Sequence, residues 1–402
     1  MSRPLEGITV IEVAMWAFVP SAGGILADMG ATVIKVEPPS GDPLRGLQTG
    51  IGAASSVDYS WESYNRGKRS VTLDLKQPAG RDVLYKLIAG CDVFLTSLLP
   101  PARKAMGIDA DTLRARFPAL IYASGSASGT QGPDAEKGGY DAITFWARGG
   151  ISASVTPDDH DRPIGPPGPA FGDTMSGAML AGGICAAIAK RALTGEASSV
   201  DVSLLSSAIW TMQRPVAQAT DQNVERLARP PANRPNNVLS YTYRTADDRF
   251  VALCMLQADR YWKPFCLAAG RTDLADDPRF ADARARRDNG EACLAKLEAL
   301  FASKTLAEWR DILGRQDGQW DAVQQVGELA ADRQVVANGL IQQVAVTAGR
   351  PIPLVSAPMQ FDGAPLTIAA APDIGADSDA ILTDLGYSQD AIIDLKIAGI
   401  VF

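Results

Sequence analysis

Hydrophobic positions in the N-terminal half fall into short β-branched runs separated by segments with helical spacing. "ITVIEVA" (8–14) reads as a strand, "PSAGGILADMGA" (20–31) as a helix opened by Pro20, and "TVIKVE" (32–37) as the next strand. The alternation continues with strands at 70–75, 92–97 and 120–126, and amphipathic helices at 80–90, closed by Gly90, and at 110–117. A nearly uncharged stretch after Asp173 reads as a helix that stops at Gly195, followed by a strand at 198–203 and a helix at 204–213. Alternation of this kind predicts a parallel α/β sheet. The first strand–helix–strand unit lacks the GxGxxG spacing, so a dinucleotide site is not expected there.

The pattern changes at "ARPPANRPNN" (228–237), rich in proline and asparagine, where a domain boundary is placed. Residues 238–256 read as a hairpin turning at Ala246-Asp247-Asp248, and helices follow at 258–269, 288–303, 305–315 and 320–327. These suit a smaller α+β domain. An extended, proline-broken stretch at 351–363 leads to final helices at 377–385 and 388–398. The predicted division is a large α/β domain over 1–225, a small domain over 226–335, and a C-terminal segment, 336–402.

Composition narrows the function classes. A net charge of −8 argues against nucleic acid and anionic membranes as partners. No signal-peptide pattern opens the chain, and its longest uncharged run, 174–189, falls short of the ~20 residues a membrane helix needs, so a cytoplasmic protein is expected. The five cysteines are scattered without CxxC spacing, so neither disulfides nor a metal site is expected. The single histidine, His160, stands in the polar loop "TPDDHDRP", a poor base for a serine or cysteine nucleophile.

Two basic turns follow predicted strand positions or precede them: "NRGKRS" (65–70), with Arg66, Lys68 and Arg69, and "PPARKAMG" (100–107), with Arg103 and Lys104. Loops at one edge of a parallel sheet gather around a ligand, so two basic loops favour a phosphate-rich one. Asp173, in "PAFGDTMSG" (169–177), has two readings. Asp is a favoured helix N-cap. A carboxylate is also a nucleophile that needs no histidine, because its reference pKa of about 3.9 leaves it ionised, and helix N–H groups would keep it so. The stiff loop before it and the small residues Gly172 and Gly177 leave room for a ligand.

Taken together, "LADMGATVIKVEPPSGDPLR" (26–45), "NRGKRSVTLDLK" (65–76), "GGYDAITFWARGG" (138–150), "GDTMSGAMLAGGICAAI" (172–188) and "VDVSLLSSAIW" (200–210) resemble the class III CoA-transferases. That family includes formyl-CoA and carnitine CoA-transferases and, as relatives, α-methylacyl-CoA racemases. The resemblance implies that Asp173 is the nucleophile, forming an aspartyl mixed anhydride and then an enzyme–CoA thioester. It implies CoA contacts from Arg66, Leu73, Leu75, Lys76, Ser97, Arg103, Lys104 and Tyr140, with Lys35 and Glu37 near the strand end. It further implies a Rossmann-like large domain that the return segment 336–402 completes, an interlocked homodimer, acyl-CoA and a free carboxylic acid as substrates, and no tightly bound cofactor beyond coenzyme A as a substrate moiety. Against the family, Ala17 in "AMWAFVPS" and Phe145, next to Trp146, stand where glutamines are frequent, and "CMLQADRY" stands in place of a glycine-rich loop, which implies a relatively apolar acyl pocket unless Trp16, Phe18, Phe145 and Trp146 are core or dimer contacts. The alternatives are an acyl-CoA racemase, disfavoured because Tyr140 stands at the family's histidine position, and a non-catalytic CoA-binding protein.

Overall fold

Six strands, β1 (Thr9–Val13), β2 (Thr32–Glu37), β3 (Arg69–Thr72), β4 (Val93–Thr96), β5 (Ile121–Ser126) and β6 (Ser199–Ser203), build one sheet. Their order is β3-β2-β1-β4-β5-β6, and every pairing is parallel. This computed structural model describes residues 3–47, 57–228, 235–346 and 349–402. β1, β2, β4 and β5 are buried almost throughout because helices cover both faces, whereas the edge strand β6 exposes Ser199 and Asp201. Val10, Val33, Val93, Leu95 and Ile121 pack on one face with residues of α1 (Phe18–Asp28) and of the helix Phe171–Thr194. Ile11, Ile34, Val71, Phe94 and Tyr122 pack on the other, with the helices Pro78–Ala89, Ser378–Asp384 and Gln389–Ile397. Neighbours along a strand thus alternate between two cores, as the period of two requires.

The chain divides into two compact units, Met1–Gln218 with Arg333–Phe402, and Ala219–Asp332. Hydrogen bonds explain why the C-terminal segment belongs to the first. Phe402 N–H donates to Thr72 Oγ1, Thr72 Oγ1 donates to the Phe402 carbonyl, and Asp74 N–H donates to the Ile400 carbonyl. The return segment therefore covers the edge strand β3. The second unit holds an antiparallel sheet of β7 (Thr242–Arg244), β8 (Phe250–Leu253) and β9 (Trp320–Ala322) over an aromatic core that includes Phe265, Phe301 and Trp309. Residues 320–327, predicted helical, instead start with strand β9, paired to β8 through Leu253 and Trp320. Pairing with a neighbouring strand overrode the local spacing. Most of the stretch 228–237 lies outside the described residues.

The 24-residue helix Phe171–Thr194 also departs from expectation, being long and apolar enough by composition to cross a membrane. One stripe of it, with Gly177, Leu180, Ala181 and Ile184, is buried in the core against the sheet and α1. Gly177 makes that packing close: a Cβ there would stand 2.6 Å from Ser21 Oγ and 2.8 Å from the Phe18 carbonyl.

Beneath α1 lies a cluster of buried charges. Glu12 on β1 meets Lys35 on β2 at 3.1 Å and Lys68, just before β3, at 2.8 Å. Lys35 also meets Asp42 at 2.8 Å and donates to the Ala14 carbonyl. Lys68 donates to Asn65 Oδ1 and to the Pro20 carbonyl. Burial opposes the charge on Lys35, but Glu12 and Asp42 outweigh it and hold its pKa above the ordinary lysine value. Burial pulls Lys68 down to about 8 despite Glu12. Gly23 on α1 makes the space: a Cβ there would lie 1.9 Å from Glu12 Oε2 and 3.1 Å from Lys68 Nζ.

Two glycine substitutions should therefore act in opposite directions. Gly23→Ala forces a methyl group into the ion cluster and should destabilise the protein by roughly 3 kcal/mol or prevent folding. Gly182→Ala, on the long helix with nothing within 4 Å of the added Cβ, should stabilise it by roughly 0.5–1 kcal/mol through helix propensity. Thermal unfolding of both variants checks this, and equal shifts would contradict the role given to Gly23.

Candidate active site

Asp173 lies in the first turn of the helix Phe171–Thr194, but it does not cap it. The N-cap position belongs to Ala170, held in the left-handed region at φ 56, and no side chain of the capping residue bonds the first turn. The carboxylate facing the free amides of Phe171 and Gly172 is that of Asp141. Asp141 opens a π-helical turn, Asp141–Arg148, and is almost wholly buried. Its Oδ1 has no hydrogen bond of good geometry, so its hold on the helix end is electrostatic more than directional. The approach depends on Gly172, where a Cβ would stand 2.2 Å from the Phe145 ring and 2.5 Å from Asp141 Oδ1. Gly172 and Gly177 thus admit other parts of the protein, not a ligand as the sequence reading had it.

With the helix end served by another residue, the Asp173 carboxylate is left to the cavity. Burial first, and the nearby Asp141 carboxylate second, push its pKa up to about 7. This reverses the expectation that the helix end holds Asp173 well ionised. Burial raises Asp141 as well, against the pull of the Gly172 and Phe171 amides. Tyr64, from the helix Tyr59–Asn65, lies close enough for the Asp173 charge to act on its phenol, whose pKa burial has already raised.

The cavity beside Asp173 has a volume of about 450 Å³. It opens where the chain leaves β1, β4 and β5, through Met15 and Trp16, Ser97 to Leu99, and Gly125 to Ala127. β1 and β4 are the adjacent strands at which the strand order reverses, the place where open α/β sheets bind ligands. Of the residues singled out from sequence, Asp173, Ser97, Arg103, Tyr140 and Phe18 line it together. Ser97 Oγ accepts from Met15 N–H at 2.9 Å, and buried Arg103 donates to the Tyr122 hydroxyl at 3.3 Å. Leu73, Leu75 and Lys76 line a second cavity of about 130 Å³, which shares Met15 and Leu98 with the first.

Other predicted residues are placed elsewhere. Arg66 lines neither cavity: its guanidinium forms a buried ion pair with Asp28 at 2.6 Å. Arg69 faces Asp377 and Asp384, so the basic turn 65–70 is spent on ion pairs within the fold. Lys35 is sealed in the ion cluster, and Glu37 is paired with Arg45 at 2.7 Å, although Glu37 also borders the smaller cavity. Lys104 is exposed and outside both cavities. Ala17 is buried at the start of α1. Phe145 and Trp146 are core: Phe145 packs edge-on to Phe171, and Trp146 does likewise while its Nε1–H donates to the Ile164 carbonyl. That bond ties down the loop leading to Asp173. Of the apolar residues weighed as pocket or core, Trp16 and Phe18 line the cavity, which also has Ile143 in its wall and Asp141 beside Asp173, two residues to which the sequence assigned no role. For Asp141 the signal was present, as the last residue of the Gly-Tyr-Asp motif.

The raised Asp173 pKa has a consequence for stability. Below about pH 4 the folded and unfolded chains both hold this proton. Between about 4 and 7 the folded chain keeps a proton that the unfolded chain releases, so the stability contribution is lost as pH rises through about 7. Asp173→Asn carries no such penalty. Its thermal midpoint should exceed that of the parent at about pH 8 by a few degrees, with the gap closing towards about pH 4. A gap independent of pH would contradict the burial of this carboxylate.

The chain matches the family model described as CoA-transferase family III over residues 5–378. It is 30% identical to the (R)-2-hydroxy-4-methylpentanoate CoA-transferase of Clostridioides difficile, covering 99% of both chains. It is 31% identical to the cinnamoyl-CoA:phenyllactate CoA-transferase of Clostridium sporogenes, over 97% of this chain and 95% of that one. Among solved structures, a CAIB/BAIF family protein from Brucella suis superimposes with a TM-score of 0.81 at 28% identity, covering 96% of this chain and 100% of the other. With its parallel sheet and its candidate site at the reversal of strand order, the chain belongs to CoA-transferase family III.

Proposed function

We propose that this CoA-transferase is an acyl-CoA:carboxylate CoA-transferase with Asp173 as its nucleophile. A carboxylate oxygen of Asp173 attacks the thioester carbonyl carbon and expels CoA as thiolate, leaving an aspartyl–acyl mixed anhydride. The thiolate attacks the aspartyl carbonyl, releasing the donor acid as carboxylate and forming an enzyme–CoA thioester. The acceptor carboxylate attacks this thioester, again expelling thiolate, and gives a second anhydride. Attack of thiolate on the acceptor's carbonyl releases the new acyl-CoA and restores the Asp173 carboxylate. No net proton is taken up or released.

The observation that carries this reading is the freedom of Asp173: its helix end is served by Asp141, and it shares a cavity with Ser97, Arg103 and Tyr140. Arg103 supplies a buried cation for an anionic ligand. The smaller cavity, with Leu73, Leu75 and Lys76, shares Met15 and Leu98 with the first and suits another part of coenzyme A. Coenzyme A enters as a substrate moiety, not as a resident cofactor. The wall formed by Trp16, Phe18, Ile143 and Leu204 suits a relatively apolar acyl group. Racemisation would need a base where Tyr140 stands in place of the family's histidine, and a phenol is poorly matched to that task. The same reading includes an interlocked homodimer, which would cover exposed apolar residues such as Trp210 and Leu193.

Asp173→Ala should abolish transfer by a thousandfold or more, since no other group on this route can carry the acyl and CoA intermediates. Wild-type protein incubated with acyl-CoA and quenched with borohydride or hydroxylamine should show modification on the peptide bearing Asp173, by mass spectrometry. The rate of adduct formation should rise with pH through about 7 as the carboxylate ionises. Appreciable transfer by Asp173→Ala, or modification only at another residue, would refute the assignment.

A further inference from the structure

Trp16 has φ 69, a left-handed backbone in which a bulky residue is strained and a glycine is at ease. Its N–H donates to Asp42 Oδ1 at 3.1 Å, and the same oxygen accepts Leu44 N–H at 3.0 Å. The other Asp42 oxygen faces Lys35 Nζ at 2.8 Å, within the buried ion cluster. The preceding residue is fastened too, by the bond from Met15 N–H to Ser97 Oγ. The turn is thus held on both sides, with a tryptophan where glycine would cost less. Strain kept in place by surrounding structure at a cavity wall points to a use for the side chain.

The Trp16 ring lies 5.7 Å from that of Tyr140, with the planes at 89°. Both line the cavity that holds Asp173, and Tyr140 is 57% exposed. Two perpendicular rings make a corner in which a third flat group stacks on one and meets the other edge-on. Phe18 adds a further ring to the same wall. Saturated chains gain only area from such a corner, whereas planar π-systems also gain its geometry. We propose that Trp16, with Tyr140, sets the acyl-group specificity of this enzyme in favour of aryl or conjugated planar acyl groups, and that Asp42 is the positioning residue that holds Trp16 in its turn. This rests on the CoA-transfer reading above and names its substrate class.

The test compares kcat/KM of the full-length protein for phenylacetyl-, phenylpropenoyl-, acetyl- and butyryl-CoA with one common acceptor acid. Aryl donors should exceed saturated ones by roughly tenfold. In Trp16→Gly the ratio should collapse towards one, with the thermal midpoint no lower than that of the parent, because glycine adopts this turn without strain. Trp16→Phe, which keeps a ring, should restore part of the ratio. A proportional fall for all four donors would mean that Trp16 touches the CoA portion they share, and would overturn the proposal. So would an aryl preference retained in Trp16→Gly, or a parent that shows none. If the parent modifies Asp173 equally with every donor, the transferase reading stands and this inference falls. If it modifies Asp173 with none, both fall.

Discussion

The Glu12 carboxylate, shared between Lys35 and Lys68, is the interaction on which the site-bearing unit is built. It lies on β1 and binds cations from β2 and from the chain just before β3. Removing either partner would leave a buried charge uncompensated, at about 3–5 kcal/mol. The cluster also fixes what surrounds it. α1 must carry glycine where it crosses Glu12, and Asn65 must turn towards Lys68. Through Lys35 the cluster reaches Asp42, and through Asp42 the strained turn at Trp16. A cavity wall is thereby tied to charges that no solvent or ligand reaches.

The second organising feature is a division of labour between two acids. A helix N-terminus attracts a carboxylate, and Asp173 in the first turn could have satisfied it. Asp141 faces those amides instead, from a separate element. The exchange has an electrostatic cost, because burial raises the protonation equilibria of both acids and the Asp141 carboxylate raises that of Asp173 further. It also has a chemical benefit. A carboxylate with a pKa near 7 is more basic than an ordinary one, and roughly half remains ionised at neutral pH. In the proposed reaction, a substrate bound beside Arg103 would meet a carboxylate engaged in no cap.

Much of this fold was legible because both faces of the sheet are buried. Continuous β-branched runs such as "TVIKVE" admit few other readings, and all six strands of the sheet were read from them. Asp173 was legible as a group at a helix start, but its relation to that helix was not. Whether an acid caps its own helix depends on residues far away in sequence, here Asp141 and the ring of Phe145 that Gly172 admits. The basic turn 65–70 misled for the same reason. Three cations close together look like a phosphate site until Asp28, Glu12 and Asp377 are brought to them by long-range packing. Trp16, Phe145 and Trp146 are alike in composition, yet one lines the cavity and two are core. Neither hydropathy nor spacing distinguishes a ring facing a ligand from one facing a neighbour.

Charge at the site follows from this partition. The protein carries a net charge of −8, and a CoA thioester is itself an anion. Beyond about 8–10 Å at physiological ionic strength, repulsion between them is screened, so local groups decide. Most cations of the N-terminal segments are neutralised within the fold, as Lys35, Lys68, Arg66 and Arg45 show. Arg103 and Lys76 remain at the cavity walls, Arg103 in the short helix Pro100–Ala105 after β4 and Lys76 in the loop after β3. On the proposed reading, with so few cations lining the two cavities, affinity would rest largely on the apolar walls, from Leu73 and Leu75 in one to Phe18 and Trp16 in the other. A ligand recognised chiefly by its apolar parts can be told from its homologues by their shape, which makes the position of a single ring consequential.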